Sequence, residues 1–85
     1  MSGLEFTLKK TWAGPAPQWI VVHPAGYGVA SFGEADYELA RWDAEHRTSR
    51  AEETCRIWGI PPAEFIAVAA RRFDEFLLTM RGDAA

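Results

Sequence analysis

Three side chains in this sequence could bind a metal ion or serve as a nucleophile and its base: His23, His46 and Cys55. Their spacings match no familiar zinc-finger or zinc-protease pattern, and a structural zinc ordinarily needs four ligands in closely spaced pairs. Cys55 and His46 could pair only if the fold joined two helices there, and the chain contains no asparagine to support an oxyanion. We therefore predict no metal, no cofactor and no enzymatic activity.

Two further patterns could indicate an active site or a nucleotide-binding site, but each has a simpler structural interpretation. The carboxylates of Glu52-Glu53 and of Asp74-Glu75 are adjacent in sequence, so on a helix they point about 100° apart and cannot share one substrate. Gly26-Tyr27-Gly28 lacks the further glycine and the following helix of a dinucleotide-binding loop. These patterns predict surface charge and a hairpin turn.

Charge is unevenly distributed along the 85 residues, which carry 9 Lys plus Arg and 12 Asp plus Glu for a net charge of −3. Residues 34–54 hold seven acidic residues and three arginines. Such a segment would repel a phosphate backbone, and no basic stripe occurs elsewhere, so the electrostatic footprint of a typical nucleic-acid binder is missing. The single cysteine, the absence of a basic n-region at the start and the short apolar runs predict a cytoplasmic protein without a membrane span.

The first third of the sequence predicts three strands. Leu4, Phe6 and Leu8 alternate with polar residues in a strand that ends near Trp12. The segment 13–17, with two prolines and a glycine, predicts a loop. The β-branched segment 18–23 is typical of a central strand, and residues 27–32 form a weaker third strand after the turn at 24–26. Together these segments predict an antiparallel β-meander.

The middle of the sequence predicts one or two helices. Ser31-x-x-Glu34 has capping-box spacing, and the apolar helix face that follows comprises Ala35, Leu39, Trp42 and His46. Ser49-x-x-Glu52 repeats that spacing and predicts a break near Thr48, although it could also be a false match inside one long helix. A further short helix then buries Ala51, Cys55 and Trp58 and ends at Gly59.

The last helix has the strongest pattern in the chain. It begins at Pro61 or Pro62 and is capped by Gly82. Its apolar residues recur at helical spacing: Phe65, Ala69, Phe73, Phe76, Leu77 and Met80. The whole pattern predicts a single α+β domain over residues 1–85, in which a three-stranded antiparallel meander precedes two or three helices and the last helix packs on the sheet.

Residues 54–72 resemble the helix-turn-helix family. Cys55 matches the small residue of its first helix and Gly59 the glycine of its turn, while Phe65 and Val68 match the apolar positions of its second helix. The resemblance implies a DNA-binding transcriptional regulator, with DNA as partner under this alternative alone. However, Pro61-Pro62-Ala63-Glu64 offers no side chain that reads bases, and any αα-hairpin satisfies the same packing rules.

Surplus aromatic side chains favour a protein-binding role. The four tryptophans either fill a small core or contact a partner, and Trp, Tyr and Arg dominate protein interfaces. The predicted partner-binding residues are Trp12, Tyr27, Glu34, Asp36, Glu38, Arg71 and Arg72. We expect a non-enzymatic inhibitor or adaptor that acts on a larger protein assembly, such as a nucleic-acid-handling complex, and a homodimer is compatible with this size. In its small size and its lack of an identifying motif, the chain resembles small acidic inhibitors encoded by mobile elements, including anti-CRISPR proteins. This resemblance is an analogy at the level of the class.

Overall fold

The computed structural model describes residues 3–13 and 15–84 and has an α+β fold. A three-stranded antiparallel sheet of order β1-β2-β3 precedes two helices, which confirms the predicted meander and sets the helix number at two. The elements are β1 (Thr7–Ala13), β2 (Ala16–Val22), β3 (Gly28–Gly33), a short 3₁₀ helix (Glu34–Asp36), α1 (Tyr37–Trp58) and α2 (Pro62–Ala84). None of the helices within these ranges is long and apolar enough to cross a membrane.

The connection between β1 and β2 is tighter than the sequence predicts. Ala13 pairs directly with Ala16, and Trp12 pairs with Pro17, so Pro17 belongs to the sheet rather than to a loop. Pairing between β2 and β3 begins only at Gln18. Because Pro17 lies where β2 has a single neighbouring strand, its missing N–H can point away from β1 without breaking the ladder. Gly14, which the sequence also places in that loop, lies outside the described residues.

One face of the sheet packs against α1. Leu8, Val21 and Ala30 lie opposite one another across the three strands, and Val21 is fully buried. Small side chains of α1, among them Ala40 and Ala44, are buried as well. Because an alanine projects little beyond the helix backbone, these positions allow α1 to approach the sheet closely.

The predicted apolar face of α1 is therefore wrong. Leu39 and Trp42 are 58% and 62% exposed, and Trp58 is 74% exposed. The buried stripe instead consists of Ala40, Ala44, Ala51 and Cys55, of which the last two are predicted from the sequence. These small residues repeat at intervals of four and seven along one side of the helix, whereas Leu39 and Trp42 fall on the other side.

The predicted break near Thr48 is also wrong, because α1 is continuous from Tyr37 to Trp58. The Thr48 hydroxyl donates to the carbonyl oxygen of Ala44 at 2.8 Å, as in a helix interior, and accepts the N–H of Phe6 at 2.9 Å. Thr48 therefore ties the segment before β1 to the helix. The capping box predicted at Ser31 is absent as well, since Ser31 lies in β3 and no side chain caps the start of either following helix.

The turn between α1 and α2 follows the sequence prediction. Gly59 has a φ of 64°, and its N–H and that of Ile60 both donate to the carbonyl oxygen of Cys55. Ile60 then packs on a core cluster of Leu4, Ala51 and Cys55. At its other end α2 does not stop at Gly82 as predicted, but continues to Ala84.

A stack of four aromatic rings joins α2 to the sheet. His23, which follows β2, and Tyr27, which precedes β3, have nearly parallel rings with centroids 4.7 Å apart. Phe65 lies 6.1 Å from His23, and Phe73 lies 4.4 Å from Tyr27, with interplanar angles of 11° and 10°. The last helix thus contacts the sheet, as predicted, through the turn between β2 and β3.

Candidate interaction surface

The structure divides the seven predicted partner-binding residues between two ends of the sheet. In a meander, the β1–β2 turn and the end of β3 lie at the same end, so Trp12 shares that end with the segment 34–38. The β2–β3 turn lies at the opposite end and carries Tyr27, close to Phe73 of α2. The residues at the first end are Trp12, Glu34, Asp36 and Glu38, and those towards the second are Tyr27, Arg71 and Arg72.

At the first end, Lys10 and Glu34 form a bridge across the sheet. The Lys10 Nζ atom lies 3.2 Å from Glu34 Oε1 and 5.7 Å from the centroid of the Trp19 ring. Trp19 Nε1–H donates to the carbonyl oxygen of Glu34 at 3.2 Å, and the Tyr37 ring meets Trp19 edge to face with centroids 4.8 Å apart. Because the ion pair is exposed, it adds little to stability. Together, however, these contacts fix the orientation of the Trp19 ring.

Trp12 stands beside this bridge. Its partner in β2 is Pro17, while Lys10 pairs with Trp19, so Trp12 and Trp19 are diagonal neighbours on one face, with Cα atoms about 7–8 Å apart. This is the face that α1 covers further along, at Val21. Trp12 lies at the end of the sheet away from that contact and is 77% exposed.

Three acidic side chains lie in the segment that follows β3. Glu34, Asp36 and Glu38 are all exposed at the entrance to α1. Glu38 has a further effect on Arg41, because the hydrogen bond and charge of Glu45, and then the charge of Glu38, raise the pKa of the Arg41 guanidinium. We call this region the hairpin-end surface and define it by Lys10, Trp12, Trp19, Glu34, Asp36, Tyr37 and Glu38.

Although Tyr27 lies next to the β2–β3 turn, its ring packs against other rings of the chain. The ring is half-buried, with His23 stacked on one side and Phe73 on the other. The nearby Arg71 and Arg72 are exposed on α2. In this position Tyr27 contacts the chain's own helix and turn with both faces of its ring, which leaves its edge for other contacts.

The residues with metal or nucleophile chemistry are not brought together. Cys55 is buried in the core cluster, His23 is buried in the ring stack, and the exposed His46 ring lies parallel to Trp42 with centroids 5.0 Å apart. Burial lowers the pKa of the His23 imidazole below its ordinary value of 6.5. Within residues 3–13 and 15–84, no group of three or more His, Cys, Asp or Glu side chains could hold a metal ion.

A cleft of about 350 Å³ lies between α1, α2 and the segment before β1. Phe6, Arg47, Arg50 and Phe65 contribute to its walls. The Arg47 guanidinium is held by Asp43 at 2.7 Å, and the Phe6 N–H donates to Thr48. Among the charged side chains that line the cleft, Arg47 and Asp43 therefore pair with each other.

Sequence reasoning missed Lys10, Trp19 and Tyr37 as parts of the hairpin-end surface. Their contacts depend on the register in which Lys10 faces Trp19, and that register follows from the tight β1–β2 connection. The sequence does contain one indication of this surface, because the alternation of side chains places Lys10 and Trp12 on one side of a strand.

Comparison of the chain with protein-family models, curated proteins and solved structures gives no match.

Proposed function

We propose that this protein is a non-enzymatic protein-binding module whose hairpin-end surface docks on a protein partner. The observation that carries the proposal is the 77% exposure of Trp12 beside a bridge that holds Lys10, Trp19 and Glu34 in place. Tryptophan is among the residues that contribute most to interfaces, and a large ring on a regular strand has little conformational freedom to lose on binding.

The charge around Trp12 indicates the kind of partner. Glu34, Asp36 and Glu38 lie at the rim of the surface, and the whole segment 34–54 is acidic. An acidic rim accelerates encounter with a basic surface and disfavours acidic partners. The proposed partner therefore presents an apolar site for Trp12 surrounded by lysine or arginine, and the module acts as an inhibitor or adaptor by covering that site.

The test compares two tryptophans of nearly equal exposure. Trp12 and Trp58 are 77% and 74% exposed, but Trp58 ends α1 and is not part of the hairpin-end surface. Tagged wild-type protein, Trp12→Ala and Trp58→Ala are used for affinity capture from nuclease-treated lysate, with quantitative mass spectrometry. We expect Trp12→Ala to reduce recovery of a stoichiometric partner by about tenfold or more and Trp58→Ala to leave it unchanged. Equal loss in both variants, or in neither, contradicts the proposal.

The same experiment distinguishes the DNA-binding alternative. Residues 54–72 form two helices joined by the turn at Gly59, and Arg71 and Arg72 are exposed on the second helix. Against this alternative, Glu64 is exposed in the first turn of α2. A parallel capture without nuclease, washed at increasing salt, should retain no discrete DNA sequence. Salt-sensitive recovery of one sequence, lost in a variant that combines Arg71→Ala with Arg72→Ala, would replace the protein-binding proposal.

A further inference from the structure

The C-terminal half of α2 carries large apolar side chains that contact no other part of the described chain extensively. Beyond Phe73, the last ring of the stack, the helix continues for about three turns to Ala84. The exposed apolar residues there are Phe76, Leu77, Leu78 and Met80, between 39% and 64% exposed. Apolar exposure concentrated on one helical segment marks an interaction site.

The chain is less compact than is usual for its length. The radius of gyration is 14.6 Å, whereas a compact chain of 85 residues has about 12 Å. The accessible surface is 6160 Å², against about 5,000 Å² for a compact monomer of 9.5 kDa. The excess of about 1,100 Å², to which the exposed tryptophans of β1 and α1 also contribute, is larger than the roughly 800 Å² that one partner buries in a standard interface.

One side of this segment is complementary to itself. Asp74, Leu77, Leu78 and Arg81 line a single concavity, because positions i, i+3, i+4 and i+7 share one side of a helix. An acidic residue precedes the two leucines and a basic residue follows them. Asp74 and Arg81 are about 10 Å apart along the helix axis, too far to pair with each other. Neither forms an ion pair with another side chain of the described residues.

We propose that this side of α2 binds a second copy of the chain in an antiparallel helix pair. A two-fold axis between Leu77 and Leu78 places these leucines against those of the second copy. The same axis places Asp74 opposite Arg81 of the second copy, and it does so twice because the interface is symmetric. Both charges then gain a partner, and the exposed leucines are covered by leucines.

A parallel pair would not have this complementarity, since Asp74 would face another Asp74 and Arg81 another Arg81. The antiparallel register is therefore the arrangement that the charges favour. Met80 borders the patch on the Leu77 side, whereas Phe76 projects from the opposite side of the helix. This surface is separate from the hairpin-end surface, so a dimer can form whether or not Trp12 binds a partner.

Charge reversal tests both the occupant and the register. Analytical ultracentrifugation of the full chain should show a dimer for wild type. Asp74→Arg and Arg81→Asp should each weaken self-association by about tenfold or more, because each creates two like-charged pairs. The matched control is Glu75→Arg, which reverses a charge outside the concavity and should remain dimeric.

Mixing the two charge-reversal variants should restore a dimer. In the mixed pair, the arginine introduced at position 74 of one chain faces the aspartate introduced at position 81 of the other. The native Arg81 of the first chain then faces the native Asp74 of the second. Both charge pairs are thereby recovered with their signs exchanged at one of them.

Each alternative outcome overturns the proposal. A monomeric wild type at concentrations up to hundreds of micromolar excludes a second copy as the occupant. Full self-association of Asp74→Arg excludes this register, as does a failure of the mixed variants to associate while wild type does. Circular dichroism of each variant verifies that the helices are retained, and the mixing step separates a loss of pairing from a loss of folding.

Discussion

The His23 ring lies parallel to the Tyr27 ring with 4.7 Å between their centroids, and its Nδ1 atom accepts the N–H of Ala25 at 2.9 Å. The same imidazole therefore packs against an aromatic ring and closes the turn between β2 and β3. An Nδ1 that accepts a hydrogen bond carries no proton, so this arrangement requires the neutral imidazole. Phe6 meets the same ring edge to face at 4.9 Å, which completes its apolar surroundings.

Stability should fall in mild acid because of His23. Its pKa is lowered in the folded protein, so below the unfolded value of 6.5 the unfolded chain binds more protons. The contribution is fully present above that value and is lost as the pH falls from it through the lower pKa of the folded state. Urea denaturation between about pH 7.5 and 5.5 measures the loss. His23→Phe should flatten this dependence, whereas His46→Gln, at an exposed site, should preserve it; an unchanged slope in His23→Phe contradicts the assignment.

The ring stack should contribute to the attachment of α2, together with the packing of Phe65 and Ile66 on the core cluster. Phe73→Ala removes the ring that stacks on Tyr27 and should lower the free energy of unfolding by about 2 kcal/mol, less than for a fully buried phenylalanine. Leu39→Ala, at a residue 58% exposed, should change it by less than about 0.5 kcal/mol. Hydrogen exchange should also become faster in α2 of Phe73→Ala than in its α1. Uniform exchange in both helices would argue against a local role.

Thr48 and Thr54, which both lie on α1, allow a matched comparison of what the hydrogen bond to Phe6 contributes to stability. Both Thr48 and Thr54 bond the carbonyl oxygen four residues earlier, but only Thr48 also accepts the N–H of Phe6. Thr48→Val leaves that N–H without a partner and should cost about 1–2 kcal/mol. Thr54→Val should be nearly neutral. Chemical denaturation measures both, and equal effects would show that the bond to Phe6 contributes nothing.

Two glycines should respond in opposite ways to alanine. Gly59 has a φ of 64° with no atom within 4 Å of an added Cβ, so Gly59→Ala should cost about 1 kcal/mol through the backbone alone. Gly33 has a φ of −63°, and its added Cβ would make an ordinary contact with Asp36 at 3.5 Å. Gly33→Ala should be neutral or stabilising by up to about 1 kcal/mol. Thermal unfolding of both variants measures the difference, and a stabilised Gly59→Ala contradicts it.

Local sequence patterns account for the strands, the turn at Gly59 and the start of α2, because these depend on neighbouring residues. The buried side of the first half of α1 could not be predicted in this way. Leu39 and Trp42 are the more hydrophobic residues of the helix, but the distance between helix and sheet selects Ala40 and Ala44. The distance between the helix and the sheet is set by how the two layers pack, and no pattern of neighbouring residues in the sequence indicates it. The capping-box pattern at Ser49 likewise could not reveal that α1 continues through Thr48.

The hairpin-end surface was accessible to sequence reasoning in outline. Trp12 and Glu34 come together because a meander places the first turn and the last strand end side by side. The bridge from Lys10 to Glu34 over Trp19 was not accessible, because it requires the register of β1 on β2. The prolines at 15 and 17 obscured that register by suggesting a longer loop.

The strand order β1-β2-β3 leaves two open edges, and both are poorly suited to recruiting another strand. The β1 edge carries Lys9 and Lys10, one on each side of the sheet, and their charges would face those of a second copy in a β1–β1 pairing whose two-fold axis lies near them. The β3 edge is six residues long, has glycine at both ends and contains an irregularity at Val29, opposite Val21 and Val22. Both edges therefore disfavour growth of the sheet into a continuous ribbon, the kind of edge-to-edge pairing that leads to fibrous aggregation.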